Sequence, residues 1–142
     1  MDIHKKIDDL QNANHKLLLI IGKPGSGKSR VIREYSEETG IPIVDLDTIF
    51  AHTPPENLMH EMHDFLKEYR QKVLLLDNKK ILYTKNSSID LLAFLKEISK
   101  TVTVVSTWNG KIEDGQLFHF NKEAPEDLIY SIDKEECKYV LC

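Results

Sequence analysis

The stretch that most constrains the fold of this chain is KLLLIIGKPGSGKS, residues 16–29. It begins with a continuous apolar run at 17–21, which is typical of a strand buried on both faces of a parallel sheet. The chain then passes through three glycines and a proline to a lysine and a serine. A helical pattern follows over about residues 28–38 and ends at Gly40. The sequence therefore predicts a strand, a glycine-rich loop and a helix in immediate succession.

This loop fits the pattern GxxxxGK[ST], in which backbone N–H groups surround a phosphate. Glycines favour such a loop because they have no Cβ to block the approach of the phosphate oxygens. The N-terminus of the following helix supplies further donors for an anion. Lys28 is predicted to reach the β- and γ-phosphates of ATP, and the Ser29 hydroxyl is predicted to bind Mg²⁺. The predicted nucleotide-binding residues are Gly22, Lys23, Pro24, Gly25, Ser26, Gly27, Lys28, Ser29 and Arg30.

Strand and helix patterns alternate along the rest of the chain. Further strands are predicted at 41–47, 72–78, 101–107 and 117–120, with KYVLC at 138–142 as an edge strand. This alternation indicates an α/β fold, a three-layer P-loop NTPase core with a mainly parallel five-stranded sheet and helices on both faces. We expect one domain over residues 1–142, with an N-terminal helix in 1–15 and a C-terminal extension of undefined role in 116–142.

Composition excludes some classes of function. The 142 residues carry a net charge of −4 and only three arginines, so the sequence does not predict general binding to nucleic acids. The longest apolar block is too short to cross a bilayer, and the N-terminal residues do not resemble a signal peptide. The two cysteines are expected to be reduced thiols of a cytoplasmic protein.

A carboxylate follows the third predicted strand. The segment VLLLD places Asp77 at the strand end, where it is predicted to bind Mg²⁺ together with Ser29. Asn78 comes next, at a position where many P-loop ATPases carry a glutamate that polarises the attacking water. An amide can orient water but cannot accept its proton. The sequence therefore predicts either slow hydrolysis or completion of the site by Asp45, Asp47 or a partner protein.

Polar residues also end the fourth predicted strand, in the segment STWNG. Ser106, Thr107 and Asn109 are candidates for contacting the γ-phosphate or the attacking water, and Asn109 is our catalytic assignment. The alternative is that Asn109 and Gly110 only turn the chain. Trp108 is expected in the core or an interface rather than against a nucleotide base.

Arg70 lies just before the third predicted strand. It is a candidate arginine finger, which would reach the nucleotide of a neighbouring copy of the chain and stabilise charge in the transition state. The alternative is a charge that contacts the end of its own helix. The first interpretation predicts a homo-oligomer, since a finger acts across an interface.

Taken together, three segments resemble the BrxF family, the small P-loop proteins of type III BREX phage-defence systems: LLIIGKPGSGKS, YRQKVLLLDNKKILYTKNSSIDLLAFLKEISK and VTVVSTWNG. The similarity spans about residues 16–112 and includes Arg70, the Asp77-Asn78 pair and the Trp108–Gly110 ending. It departs from the family at Lys80, where an acid is more usual. The resemblance implies a cytoplasmic bacterial ATPase that uses ATP and Mg²⁺ and acts with other proteins of an antiviral assembly.

Two other functions stay open at this stage. The segment GIPIVDLDTIF is similar to small-molecule kinases of the shikimate-kinase type, in which strand-end acids such as Asp45 and Asp47 hold the acceptor hydroxyl. The second is a switch protein that binds ATP with little turnover. Strand order distinguishes the kinase from the ATPase, because ATPases place strand four between strands one and three. Such kinases place strand three beside strand one, and we expect the ATPase order.

Overall fold

A computed structural model describes residues 3–83, 89–120, 128–132 and 137–142. Within them the chain is an α/β protein with a single mainly parallel sheet. The helices are α1 (Ile3–Asp8), α2 (Lys28–Thr39), α3 (Leu46–Ile49), α4 (Leu58–Glu68) and α5 (Leu91–Ile98). The strands are β1 (Leu17–Gly22), β2 (Ile43–Val44), β3 (Val73–Leu76), β4 (Thr103–Glu113), β5 (Gln116–His119), β6 (Leu128–Ser131) and β7 (Lys138–Leu141). Short 3₁₀ turns lie at Asp9–Asn12, Pro55–Asn57 and Lys80–Leu82.

The parallel part of the sheet has the order β2-β3-β4-β1-β7. Strand β4 therefore lies between β1 and β3, and this confirms the predicted strand order. The order expected for the kinase alternative is wrong, because β3 pairs with β2 and β4. Since parallel strands end at the same edge, the residues that follow β1 and β3 lie at one edge of the sheet. Residues of β4 beyond Ser106 lie at that edge too.

Helices cover both faces of the sheet, as predicted. The central strands β1 and β3 are buried at every position, and their alternate residues point to opposite faces. One face packs against α1 and α2, through side chains such as Ile7 and Ile32. The opposite face packs against α4 and α5, through side chains such as Met62 and Leu95. Two apolar cores therefore hold the sheet between layers of helices.

The fourth predicted strand was too short. Strand β4 continues through Asn109 and Gly110 to Glu113, so the alternative in which these residues turn the chain is wrong. The turn lies at Asp114 and Gly115, which both have positive φ. Trp108 explains the extension, because its side chain is fully buried and its Nε1 donates to the Phe118 carbonyl at 3.0 Å.

The C-terminal strands also differ in part from the prediction. Strand β5 is antiparallel to β4 and forms a hairpin with it, instead of joining the parallel core. The fifth parallel strand is β7, which pairs with β1 at the sheet edge as the KYVLC pattern suggested. Residues 116–142 thus supply strands to the same sheet that contains the glycine-rich loop.

Two further findings concern helices. Helix α5 is capped by Asp90, whose carboxylate accepts from the Ala93 N–H at 3.1 Å. Ser87 and Ser88, which are also residue types that cap helices, precede Asp90 in the sequence and lie outside the described residues. Among the helices in the described part of the chain, none combines the length and the apolar character needed to cross a bilayer.

Candidate functional site

The glycine-rich loop joins β1 to α2 and is held by its own backbone. Ser26 N–H donates to the Lys23 carbonyl at 3.1 Å, and Val31 N–H donates to the Gly27 carbonyl at 3.2 Å. Gly25 and Gly27 have φ values of 82° and 99°, a conformation that L side chains adopt only with strain. A Cβ at either position would meet no atom within 4 Å, so the backbone angle and not the space requires glycine there.

Lys28 begins α2 and folds over the loop. Its Nζ donates to the Lys23 carbonyl at 2.7 Å. Burial lowers the pKa of the Lys28 amine, and electrostatic interactions with Cys142 and Asp77 oppose this effect. Arg30 points along α2 and pairs with Glu34 at 3.0 Å, so its observed partner lies outside the loop.

Asp77 lies beside the end of the loop, although the two are far apart in the sequence. Its Oδ1 accepts from the Ser29 hydroxyl at 3.2 Å and from the Thr107 hydroxyl at 2.9 Å. No hydrogen bond to its Oδ2 occurs within the described residues. A hydroxyl oxygen and a carboxylate with an available oxygen suit Mg²⁺, which prefers oxygen ligands and few protein groups. Ser29 and Asp77 are therefore the residues that would hold such an ion.

A buried lysine that the sequence analysis missed lies next to Asp77. The Nζ of Lys79 donates to the Thr107 hydroxyl at 3.1 Å and to the Asp77 carbonyl at 3.3 Å, and the residue is 4% exposed. Burial lowers the pKa of Lys79 to about 8, while Asp77 and Asp47 act in the opposite direction. We call Asp77, Lys79 and Thr107 the strand-tip cluster. Nothing in the sequence marked Lys79, because a Lys-Lys pair after a strand is typical of an exposed turn.

Asn78 and the two acids after β2 are connected to one another. The Asn78 amide donates to Asp45 Oδ2 at 3.1 Å, and its carbonyl accepts from the Leu46 N–H at 3.0 Å. Asp45 also caps α3 by accepting from the Thr48 N–H at 3.1 Å. The hydrogen bond from Asn78 is the largest cause that lowers the pKa of Asp45.

Asp47 is engaged as well, since its Oδ1 accepts from the Ile81 N–H at 2.8 Å. Asp45 and Asp47 were the sequence candidates for a substitute base beside Asp77. In the structure, both carboxylates instead hold backbone N–H groups, and together they fasten the end of β2 to the segment after β3. Their observed role is to shape the edge of the sheet.

The other strand-four candidates separate into distinct environments. The Ser106 hydroxyl is buried and donates to the Thr107 carbonyl at 3.0 Å. Asn109 lies opposite Gly22 in the register, at the start of the loop. Its Oδ1 is buried and has no hydrogen-bond partner in the part of the chain that the structure describes. A donor such as a bound water would satisfy this oxygen.

Arg70 and Asp77 lie at opposite ends of the strands of the sheet. It precedes the amino end of β3, whereas Asp77 follows the carboxyl end. Its guanidinium is exposed and donates to the Lys67 carbonyl near the end of α4 at 2.9 Å. Within its own chain Arg70 therefore contacts a helix end, as the alternative interpretation expected. A role across an interface stays a prediction.

Comparison of the chain with protein-family models, with curated proteins and with solved structures gives no match. The interpretation of the site therefore depends on its own residues and their geometry.

Of the predicted residues, the structure brings Ser29, Asp77 and Thr107 into direct contact and places Lys28 within electrostatic range of Asp77. It adds Lys79 to this group. In the described residues, no group of three or more His, Cys, Asp or Glu could hold a metal ion.

Proposed function

We propose that this chain is an ATP-binding P-loop protein that hydrolyses ATP slowly by itself. One observation carries the proposal, namely that the Ser29 hydroxyl meets the Asp77 carboxylate at 3.2 Å. A P-loop site needs a hydroxyl from the loop and a carboxylate from a neighbouring strand at one Mg²⁺. The strand order supports the same class, because it places the Thr107 hydroxyl next to that carboxylate.

The loop would bind the phosphates through its backbone N–H groups and the N-terminus of α2. Lys28 would exchange the Lys23 carbonyl for phosphate oxygens, which are stronger acceptors because they are charged. Ser29 and Asp77 would hold Mg²⁺, which would neutralise negative charge on the bound phosphates. The buried amide oxygen of Asn109 supports a role in binding a water at the start of the loop.

Slow hydrolysis follows from the surroundings of Asp77. Asn78 offers no base, and its amide is bonded to Asp45. Asp45 and Asp47 both accept from backbone N–H groups. Attack by water would then rely on positioning and charge stabilisation. General-base assistance is typically worth ~10²–10⁴-fold, so its absence should give a low rate.

Thermal unfolding with and without ATP and Mg²⁺ tests the binding proposal. A ligand at about 100 times its dissociation constant stabilises the native state by about 2.7 kcal/mol. We expect this stabilisation in the wild type and its loss in Lys28→Ala. Lys72→Ala is the control, because Lys72 is exposed and precedes the amino end of β3, at the opposite end of the strands from the loop. Equal stabilisation of Lys28→Ala and wild type would overturn the phosphate assignment.

A second candidate is a switch that binds ATP and responds by a change in assembly rather than by turnover. The observation that favours it is the Asn78–Asp45 hydrogen bond, which leaves no evident base. A single-turnover assay distinguishes the two functions. The switch retains intact ATP over hours, whereas the ATPase releases phosphate slowly but completely.

We also propose action within a cytoplasmic bacterial antiviral assembly, and this part is supported by the resemblance to the BrxF family. In that setting Arg70 would act on the nucleotide of a neighbouring copy. A finger supplied across an interface can add ~10³–10⁵-fold to the rate. Specific activity should rise with protein concentration or with added products of neighbouring genes, and Arg70→Ala should remove that rise without changing ATP affinity. Rapid turnover that is independent of concentration would contradict this role.

A further inference from the structure

We propose that Lys79 is a fixed positive charge of the nucleotide site, which attracts the phosphates of ATP and keeps free metal ions away from Asp77. This inference rests on the proposed function, since it assigns a partner to the same site. It differs from the role of Lys28, which begins α2 and would leave the Lys23 carbonyl to contact the phosphates. Lys79 is held in place before any nucleotide arrives.

The contacts of Lys79 fix its position. Its Nζ donates to the Thr107 hydroxyl at 3.1 Å and to the Asp77 carbonyl at 3.3 Å. Because an ammonium can only donate, the Thr107 hydroxyl must use its own proton elsewhere, and it lies 2.9 Å from Asp77 Oδ1. Two hydrogen bonds thus separate the ammonium from the carboxylate. An ammonium has three donors, and the third has no hydrogen-bond partner among the described residues.

The two hydrogen bonds alone do not explain why the positive charge of Lys79 is buried. Moving an ammonium out of water is costly unless its charge is compensated. A neutral donor could satisfy the Thr107 hydroxyl and the Asp77 carbonyl without that cost. Lys28 and Lys79 both interact electrostatically with Asp77. Two ammoniums therefore lie within electrostatic range of one carboxylate, which contacts the Ser29 hydroxyl just after the loop proposed to bind the phosphates of ATP.

A fixed charge acts with opposite sign on anions and cations. It attracts ATP, which carries several negative charges in the absence of metal, and it repels Mg²⁺ or Mn²⁺ that approaches Asp77 alone. At an effective dielectric constant of about 20, unit charges several Å apart change an equilibrium by roughly tenfold or more. A lysine that only supports the fold would not shift the two affinities in opposite directions.

Lys79→Met, which removes the charge and keeps an unbranched side chain, provides the test at pH 7. We expect ATP affinity in EDTA to fall by roughly tenfold. We expect Mn²⁺ affinity in the absence of nucleotide, measured by electron paramagnetic resonance, to rise by a similar factor. Lys80→Met is the matched control, because it makes the same charge change at an exposed neighbour, and solvent screening should keep both of its shifts below about twofold.

Shifts in the same direction, or shifts no larger than those of Lys80→Met, would overturn the inference. If Lys79→Met fails to fold, the wild type still provides a test through its Lys79 ¹⁵Nζ resonance. This resonance should move on addition of ATP in EDTA, and no movement in an ATP-saturated protein would equally overturn the inference. The proposed function fails separately, if the wild type does not bind ATP, and the Mn²⁺ measurement then still tests the charge of Lys79.

Discussion

Residues 23–27 of the glycine-rich loop are exposed and are held by backbone hydrogen bonds, whereas Lys79 and Thr107 of the strand-tip cluster are buried and are held by side chains. The two regions adjoin where the Ser29 hydroxyl, just after the loop, meets Asp77 of the cluster at 3.2 Å. The loop depends on the conformation of a few consecutive residues. The cluster depends on the pairing of β3 with β4, which brings Asp77 beside Thr107. Local conformation thus shapes the loop, and long-range register assembles the cluster.

Glycine substitutions should give the largest difference in stability between the loop and the surroundings of the strand-tip cluster. Gly110→Ala would place a Cβ onto the Phe118 carbonyl and within 2.9 Å of Trp108 Nε1, so the hairpin next to the strand-tip cluster would have to shift. We expect a loss of roughly 3 kcal/mol or more in the free energy of unfolding. Gly25→Ala should cost only about 1–2 kcal/mol, since it has space and suffers only from its positive φ. Urea denaturation measures both, and equal losses would contradict the contrast.

The pH dependence of the free energy of unfolding should report on Lys79 in the strand-tip cluster. Lys79 has a folded pKa of about 8, below the ordinary value of 10.5. Between these pH values the unfolded chain binds more protons than the folded one, so the free energy of unfolding rises with pH. The rise from pH 7 to 9.5 should be about 2 kcal/mol. Lys79→Met should remove most of this rise, and Lys80→Met should leave it in place.

The smallest expected effect concerns the hydrogen bond between Asn78 and Asp45, which lies at the exposed rim of the site. Asn78→Ala should let the pKa of Asp45 rise toward its ordinary value, because that hydrogen bond is the main cause of its lowering. Carboxyl ¹³C titration by NMR would detect the change. Stability at pH 7 should change by less than about 0.5 kcal/mol, as is usual for exposed polar contacts. An unchanged Asp45 pKa would show that the helix cap alone accounts for the lowering.

The sequence was sufficient for the parts of the fold that have a local signal. The continuous apolar runs predicted β1 and β3, and the glycine-lysine-serine pattern predicted the loop and the start of α2. The sequence placed Trp108 in the core or an interface, and the residue is buried. The sequence did not predict that β4 continues straight through an Asn-Gly pair that usually marks a turn. Tertiary packing there overrides the local preference.

The sequence did not predict the burial of Lys79, for a related reason. Its neighbour Lys80 is exposed, and the two residues are identical in type, so composition gives no means of telling them apart. Only the register of β3 against β4 decides which of the two lies against Thr107. The contacts of Asn78 with Asp45 likewise require the pairing of β2 with β3, which joins segments more than thirty residues apart.

The position of β1 in the sheet has a consequence for how the protein folds. This strand is synthesised before both of its neighbours, β4 and β7, which come from far along the chain. Pairing between distant segments slows folding, because long loops must close before the contacts that stabilise them can form. Until β4 emerges from the ribosome, the apolar strand that leads into the loop has unpaired edges, which favour aggregation. The glycine-rich loop is therefore synthesised well before the two strands that hold β1 in the sheet.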